Sequence, residues 1–348
     1  MKLFEDYKNL EAREEIKQKE SDIEYLLDLE EMILQKYTVL ENRHGSHISV
    51  REKIVEKIEG ELQKRDVPED LLKTYLQMRE NNETNSSAIV RGIFSGILLD
   101  YICKHTSYTG IEFDGKGRNF NYLFYMAKNI HDITLKSFRG YKIFGSAAMF
   151  EGTAKNIYGV DIEGDELFSF FATRGGIAKN IILTKSKGED IFFCAGSSSG
   201  SLQNVIITET TGSGIMCDTA GRNGSAEKII IADCMGDQTL HTAGNFGSVK
   251  DLLAININGN KTITGVVTKK GSIKNITCVD LIGEENFSGS KITNKKDKIP
   301  KEKRKILDEI LGRVKNIDAL TVEERKEEHE KIALLQMYLF QDISRGKK

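Results

Sequence analysis

A thiol and an imidazole, Cys217 and His241, stand 24 residues apart in this chain, with Asp218 and Asp237 close by in sequence. A cysteine beside a histidine is the minimum for nucleophilic thiol chemistry: the imidazole takes the proton and a carboxylate orients the ring. A second set is acidic. Asp165, Glu189 and Asp237 each directly follow a glycine, and carboxylates gathered at such turns could bind a hard cation such as Ca²⁺, with solvated turn residues as the competing reading. A third set, Arg174, Arg222 and Lys269, is basic and suits an acidic partner or a solvated edge. The Gly/Ser run at residues 195–201 is similar to a phosphate-binding loop in composition only, lacking the lysine and the following helix.

These residues belong to a repeat. The unit reads AKNI at Ala127, Ala154 and Ala178, then LQNV at Leu202, AEKI at Ala226, VKDL at Val249 and IKNI at Ile273. Its third position is Asn129, Asn156, Asn180, Asn204, Lys228, Asp251 and Asn275, at spacings of 27, 24, 24, 24, 23 and 24. A glycine recurs eight residues on, at Gly164, Gly188, Gly212, Gly236, Gly259 and Gly283. A fixed period in the low twenties with short apolar runs is the signature of a solenoid. In the type unit, residues 181–185, 190–195 and 201–203 read as three short strands joined by polar corners, with Asn180 as a turn residue.

Three strands in a 24-residue turn, with asparagine at a tight turn, resemble the right-handed parallel β-helix of pectate lyases and related proteins. The resemblance covers about half the chain and concerns the fold. It implies an asparagine ladder, interrupted here at Lys228 and Asp251. Stacked rungs turn equivalent positions into columns. Phe168, Phe192, Met216, Leu240, Ile263 and Phe287 should point inward, as should Ile157, Ile181, Val205, Ile229, Leu252 and Ile276. Strand alternation then sends Ser169, Phe193, Cys217, His241, Thr264 and Ser288 outward, and Cys194 inward. The catalytic carboxylates and arginine of the lyases have no counterpart in that outward column. As an aromatic platform for carbohydrate it offers Phe193 alone.

The flanks read as helices. Residues 1–80 form an N-terminal helical segment: Ile16, Ile23 and Tyr37, with Leu26, Ile33 and Leu40, keep heptad spacing suited to a hairpin or coiled coil. Ser49 and Glu52 propose a capping box for a second helix with Val50, Ile54, Ile58 and Leu62 buried, and Pro68 starts a third with Leu71, Leu72, Tyr75 and Leu76. Residues 81–126 are a linker and either a cap or a degenerate first rung, 127–297 the β-helix, and 298–348 a C-terminal helical segment. In the last, Ile306, Leu307, Ile310, Leu311 and Val314 share a face, and a box at Thr321 and Glu324 opens a final helix through Phe340. Its apolar end should dock on the solenoid, the N-terminal helices or another subunit.

A formal charge of −2 makes no case for nucleic acid or anionic membranes. Five dispersed cysteines without a CxxC pair, an acidic opening and no run of about 18 apolar residues point to a cytoplasmic protein with reduced thiols. The expectation is therefore a mainly β chain, a parallel β-helix solenoid between helical ends. Its expected role is a non-catalytic structural or interaction scaffold, binding a protein partner or itself through those ends, without cofactor, metal, nucleic acid or membrane. Two alternatives stand beside it: a glycan-active or thiol/histidine-dependent enzyme on the outward face around Cys217 and His241, and an iron–sulfur-assembly-type scaffold.

Overall fold

The computed structural model describes residues 2–37, 44–65, 67–79, 85–105, 110–244, 246–260, 262–264, 271–282, 285–286, 292–296 and 298–341. Phe287, Ser288, Lys269, Gly283 and Leu40 lie outside these. Four helices, α1 (Lys2–Lys36), α2 (His44–Leu62), α3 (Glu69–Met78) and α4 (Ser86–His105), precede a solenoid. Its strands are β1 (Ile111–Asp114), β2 (Asn129–Ile130), β3 (Ile133–Lys136), β4 (Thr153–Ala154), β5 (Ile157–Val160), β6 (Ile177–Thr184), β7 (Ser201–Thr208), β8 (Ser225–Ala232), β9 (Ser248–Ile255), β10 (Ile263–Thr264), β11 (Ser272–Val279), β12 (Glu285–Asn286) and β13 (Ile292–Lys296). Helices α5 (Lys301–Asn316) and α6 (Val322–Gln341) follow, with a 3-10 turn, Ile317–Ala319, between them.

The fold is a parallel β-solenoid. One sheet stacks β1, β3, β5, β6, β7, β8, β9, β11 and β13 in that order. Ile157, Ile181, Val205, Ile229, Leu252 and Ile276 pair in unbroken register and are buried. Because β1 already pairs with β3, segment 81–126 holds both a cap helix and a first rung. Register also explains the 27-residue spacing. Asn129 pairs with Thr153, whereas Asp132 occupies the position 24 residues before Asn156. Asn156 Nδ2 donates to Asp132 Oδ1 (2.6 Å), Asn180 to Asn156 and Asn204 to Asn180 (2.8 Å each). Lys228 Nζ reaches Asn204 Oδ1 at 3.2 Å, and Asn275 donates to Asp251 at 2.6 Å. Each departure thus keeps a bond to one neighbour, but among the described residues no hydrogen bond joins Lys228 to Asp251, and the column is interrupted there. Asn180 sits within β6 and is no separate turn; it and Lys179 are both half-buried, which breaks the in–out alternation and bends the strand.

The second predicted strand does not form. From Glu166 to Arg174 every second residue has a left-handed backbone: φ is 53° at Glu166, 54° at Phe168 and Phe170, 51° at Ala172 and 52° at Arg174. Other rungs repeat the pattern, for example at Asp190, Phe192 and Cys194. The physical reason is hydrogen bonding. Phe168 N donates to Ile143 O of the rung before and Phe170 N to Phe193 O of the rung after, so these amides still tie rungs together. The amides between them close overlapping turns, Ser169 N to Glu166 O and Phe171 N to Phe168 O. Such a chain satisfies its buried backbone, which offsets the roughly 1–2 kcal/mol that each left-handed residue costs. Side chains then leave in pairs. Ile191 and Phe192 are buried, Phe193 and Cys194 half-exposed, Ala195 and Gly196 buried.

Caps close both the first rung and one side. α4 lies across the first rung, where a Cβ on Gly92 or Gly96 would overlap the Tyr122 and Tyr125 carbonyl oxygens. Asp100 Oδ1 accepts from the amides of Lys128 (2.5 Å) and Asn129 (2.8 Å) and its Oδ2 pairs with Arg51 Nη2 (2.5 Å), so an open strand end is satisfied. By length and composition α4 is apolar enough to cross a membrane, yet 72% of its apolar stretch is buried inside this fold. Ile23, Leu26 and Ile33 of α1 and Val50, Ile54, Ile58 and Leu62 of α2 join the same core. α2 begins at His44, so Ser49 falls inside the helix and does not cap it. At the other end, the Thr321–Glu324 box forms reciprocally, Thr321 N to Glu324 Oε2 at 2.8 Å and Glu324 N to Thr321 Oγ1 at 3.3 Å. α5 and α6 lie along the sheet's outer face, where Leu307, Ile310, Val314, Ile332 and Leu339 pack on Ile182, Ile206, Ile230 and Leu253. Buried Arg325 clamps them, pairing with Glu112 and reaching the Leu320 (2.5 Å) and Ile317 (3.1 Å) carbonyls.

Candidate functional site

With the strand sheet covered by α5 and α6, chemistry has to be sought on the face built from alternately handed turns. The paired pattern is clearest at Phe193 and Cys194, half-exposed before buried Ala195 and Gly196; on the rungs either side Ser169 and Cys217, both expected outward, are buried. Cys217 and His241 occupy equivalent positions on neighbouring rungs, as expected from their 24-residue spacing. Cys217, however, is buried. Burial, then the Asp218 and Asp190 carboxylates, push its thiol up to about 11, against a smaller opposing pull from the Thr242 hydroxyl. It is therefore protonated at neutral pH, whereas an activated nucleophile or thiolate ligand needs the opposite shift. Cys194 is half-exposed, not packed inside, because it is the second member of an outward pair; burial and Asp218 push it up to about 12.

The corner carboxylates do something else. Asp165 Oδ1 accepts the Glu189 amide at 2.9 Å, and Asp237 Oδ1 accepts the Asn260 amide at 2.7 Å, stitching one rung to the next. Glu189 is exposed beside them. Burial, then Glu166, Glu189 and Asp165, raise the Asp190 carboxyl. Glu166 is itself engaged by Lys142 Nζ at 3.0 Å and by the Tyr141 hydroxyl. Among the described residues, no three His, Cys, Asp or Glu side chains gather to hold a metal ion.

What the face does contain is a groove of about 400 Å³ along the solenoid axis, with Phe170, Phe193, Phe246, Cys194, Ser197 and Ser198 in its lining. Phe170 and Phe193 meet edge to face at 5.6 Å between centroids. Above them runs a column of equivalent corner residues, Phe150, Arg174, Ser198, Arg222 and Phe246, with φ of 51°, 52°, 53°, 50° and 58°. Arg174 and Arg222 are exposed, and among the described residues neither makes an ion pair or side-chain hydrogen bond. The Arg174 guanidinium lies 5.1 Å from the centroid of the Phe150 ring. Asp218, the carboxylate in the groove, accepts from the Thr242 hydroxyl.

Phe193 is thus one of several aromatic groups on this face. Strand alternation hid Phe150, Phe170 and Phe246. A signal for them was present: apolar pairs recur every four residues, Leu167-Phe168 then Phe171-Ala172, and Ile143-Phe144 then Ala147-Ala148, a period that fits neither strand nor helix. A larger cavity, about 640 Å³, lies where α3, the first rung and the start of α6 meet. Several of its charged groups are already committed, Arg325 to Glu112, Lys73 to Glu69 and Arg118 Nη1 to the Gln77 carbonyl at 2.5 Å, while Lys116 has no side-chain partner among the described residues. The groove, with two unpaired guanidiniums, is the better candidate. Compared with known proteins, the chain matches no family model, no curated protein and no solved structure.

Proposed function

We propose that the protein is a non-catalytic interaction scaffold whose working surface is the turn-face groove, displayed by a solenoid closed at its first rung by α4 and sealed along one side by α5 and α6. The observation that carries this reading is the contrast within one face. Its thiols are held protonated by burial, while its arginines stand unpaired beside aromatic rings. Buried, unactivated sulfur suits structure; unpaired cations over apolar floors suit recognition.

The test is to fill the groove. Ser198 lies at the centre of the lining, so Ser198→Trp should plug it with the fold intact by circular dichroism. A thermal-shift screen of anionic and neutral small molecules is expected to give stabilising compounds with the native chain and none with the plugged one. Compounds that stabilise both equally, or no stabilising compound at all, would refute the reading.

Self-association through a helical end is a second proposal, on a narrower footing than the apolar stripe of α6 suggested, since Ile332, Leu339 and Phe340 are used internally. Leu334 and Tyr338, one turn apart on α6, remain 48% exposed each.

A further inference from the structure

The groove's charge pattern narrows what it can hold, on the premise that the groove is the working surface. Arg174 and Arg222 occupy the same corner position two rungs apart, and their backbone φ values agree within 2° (52° and 50°). Identical backbone conformations launch the side chains in the same direction. At about 4.8 Å per rung, their origins are about 10 Å apart along the axis. Ser198 stands between them, and the column is symmetric in type: aromatic, arginine, serine, arginine, aromatic. Arg174 is steered by the Phe150 ring. Phe170 and Phe193 provide an apolar surface beside the column, and Asp218 lies at the rung of Arg222.

Two forks of donors at a fixed spacing recognise two acceptors at that spacing better than one, because the second contact forms within an already bound ligand. We infer that the groove binds an elongated ligand carrying two anionic groups about 10 Å apart, one on each guanidinium, with its body over Phe170 and Phe193 and Ser198 bonding its middle. A linear dianion and an acidic oligosaccharide charged on alternate sugars share this chemistry. Asp218 disfavours uniform polyanions, since a charge placed beside Arg222 on its side would meet a carboxylate.

Isothermal titration calorimetry of the full chain tests this with succinate, suberate, sebacate and octanoate. Suberate and sebacate should bind about tenfold or more tightly than succinate, which is too short, and than octanoate, which has one charge. Arg174→Gln and Arg222→Gln should each reduce suberate to the level of octanoate. A hyaluronan tetrasaccharide, with carboxylates on alternate sugars, separates the sources: tighter arginine-dependent binding than suberate assigns an acidic glycan, weaker binding a small dianion. Affinity independent of chain length, or unchanged in both arginine variants, would overturn the inference. Should octanoate bind as well as suberate and be blocked by Ser198→Trp, the dianion fails and the groove reading stands. Absence of any binding that Ser198→Trp blocks sinks both.

Discussion

Gly212→Ala tests the stacking that creates the groove. Gly140, Gly164, Gly188, Gly212 and Gly236 form a column at the corner before the turn face, with φ between 147° and 158°. A Cβ on Gly212 would overlap the Gly188 carbonyl oxygen, far inside the 3.0 Å that real Cβ atoms keep, and the obstacle is backbone. The rungs would have to part locally by more than an ångström. That movement breaks or stretches the bonds on either side, Gly188 N to Thr211 O (3.0 Å) and Gly212 N to Met235 O (2.9 Å). A non-glycine residue in this backbone region costs about 1–3 kcal/mol, and each disrupted ladder bond adds about 0.5–1.5 kcal/mol. The expected loss is about 2–6 kcal/mol, read as a lower urea midpoint, with amides of the neighbouring rungs exchanging faster. Gly312 of α5 is the control: a Cβ there meets nothing within 4 Å, so Gly312→Ala should stabilise by about 0.5–1 kcal/mol. A Gly212→Ala chain within about 1 kcal/mol of the native one would refute the interlocked register.

Two further outcomes follow from the C-terminal helices. His329 is buried on the sheet-facing side of α6, its ring 6.4 Å from that of Tyr158, and burial, then Arg325, push it down to about 4. A base depressed in the folded state stabilises fully above its unfolded value of about 6.5 and loses that contribution as pH falls toward 4. The native chain should therefore lose about 3 kcal/mol from this group between pH 7 and pH 4, and His329→Phe should lack that component; parallel pH profiles of the urea midpoint would contradict it. Leu334→Lys with Tyr338→Lys should convert any concentration-dependent oligomer to monomer in light scattering. An oligomer that survives both changes excludes this face.

The solenoid was legible because stacking converts spacing into contact. The isoleucine and valine column at Ile181 and Val205 follows from the 24-residue period, and the Thr321–Glu324 box from local capping chemistry. The docking of α5 and α6 was also written in the strands. Ile182, Ile206, Ile230 and Leu253 are apolar next to apolar Ile181, Val205, Ile229 and Leu252, and a strand apolar on both parities has both faces covered. Asn129 misled because its local motif matches the later units, while the register that selects Asp132 depends on which strand pairs with which.

The turn face was misread for a physical reason that bears on function. Period two assumes a continuous β backbone, and the residues involved, such as Phe168 and Phe192, satisfy both the strand expectation and the actual conformation, since both bury them. The two readings part only at the next residue but one. Alternation points Phe170 and Cys194 inward and Ser169 outward; alternating handedness points Phe170 and Cys194 out, Cys194 next to Phe193, while Ser169 is buried. A strand would present one outward side chain for each inward one, too narrow a row for a groove. Pairs of outward side chains, with a second outward pair at the corner, leave a channel between two parallel ridges. The same left-handed residues that forfeit backbone energy at every rung therefore place Arg174 and Arg222 on one ridge opposite Phe170 and Phe193 on the other. If Arg174→Gln and Arg222→Gln abolish ligand binding while leaving the urea midpoint unchanged, those two residues serve recognition and not the stack.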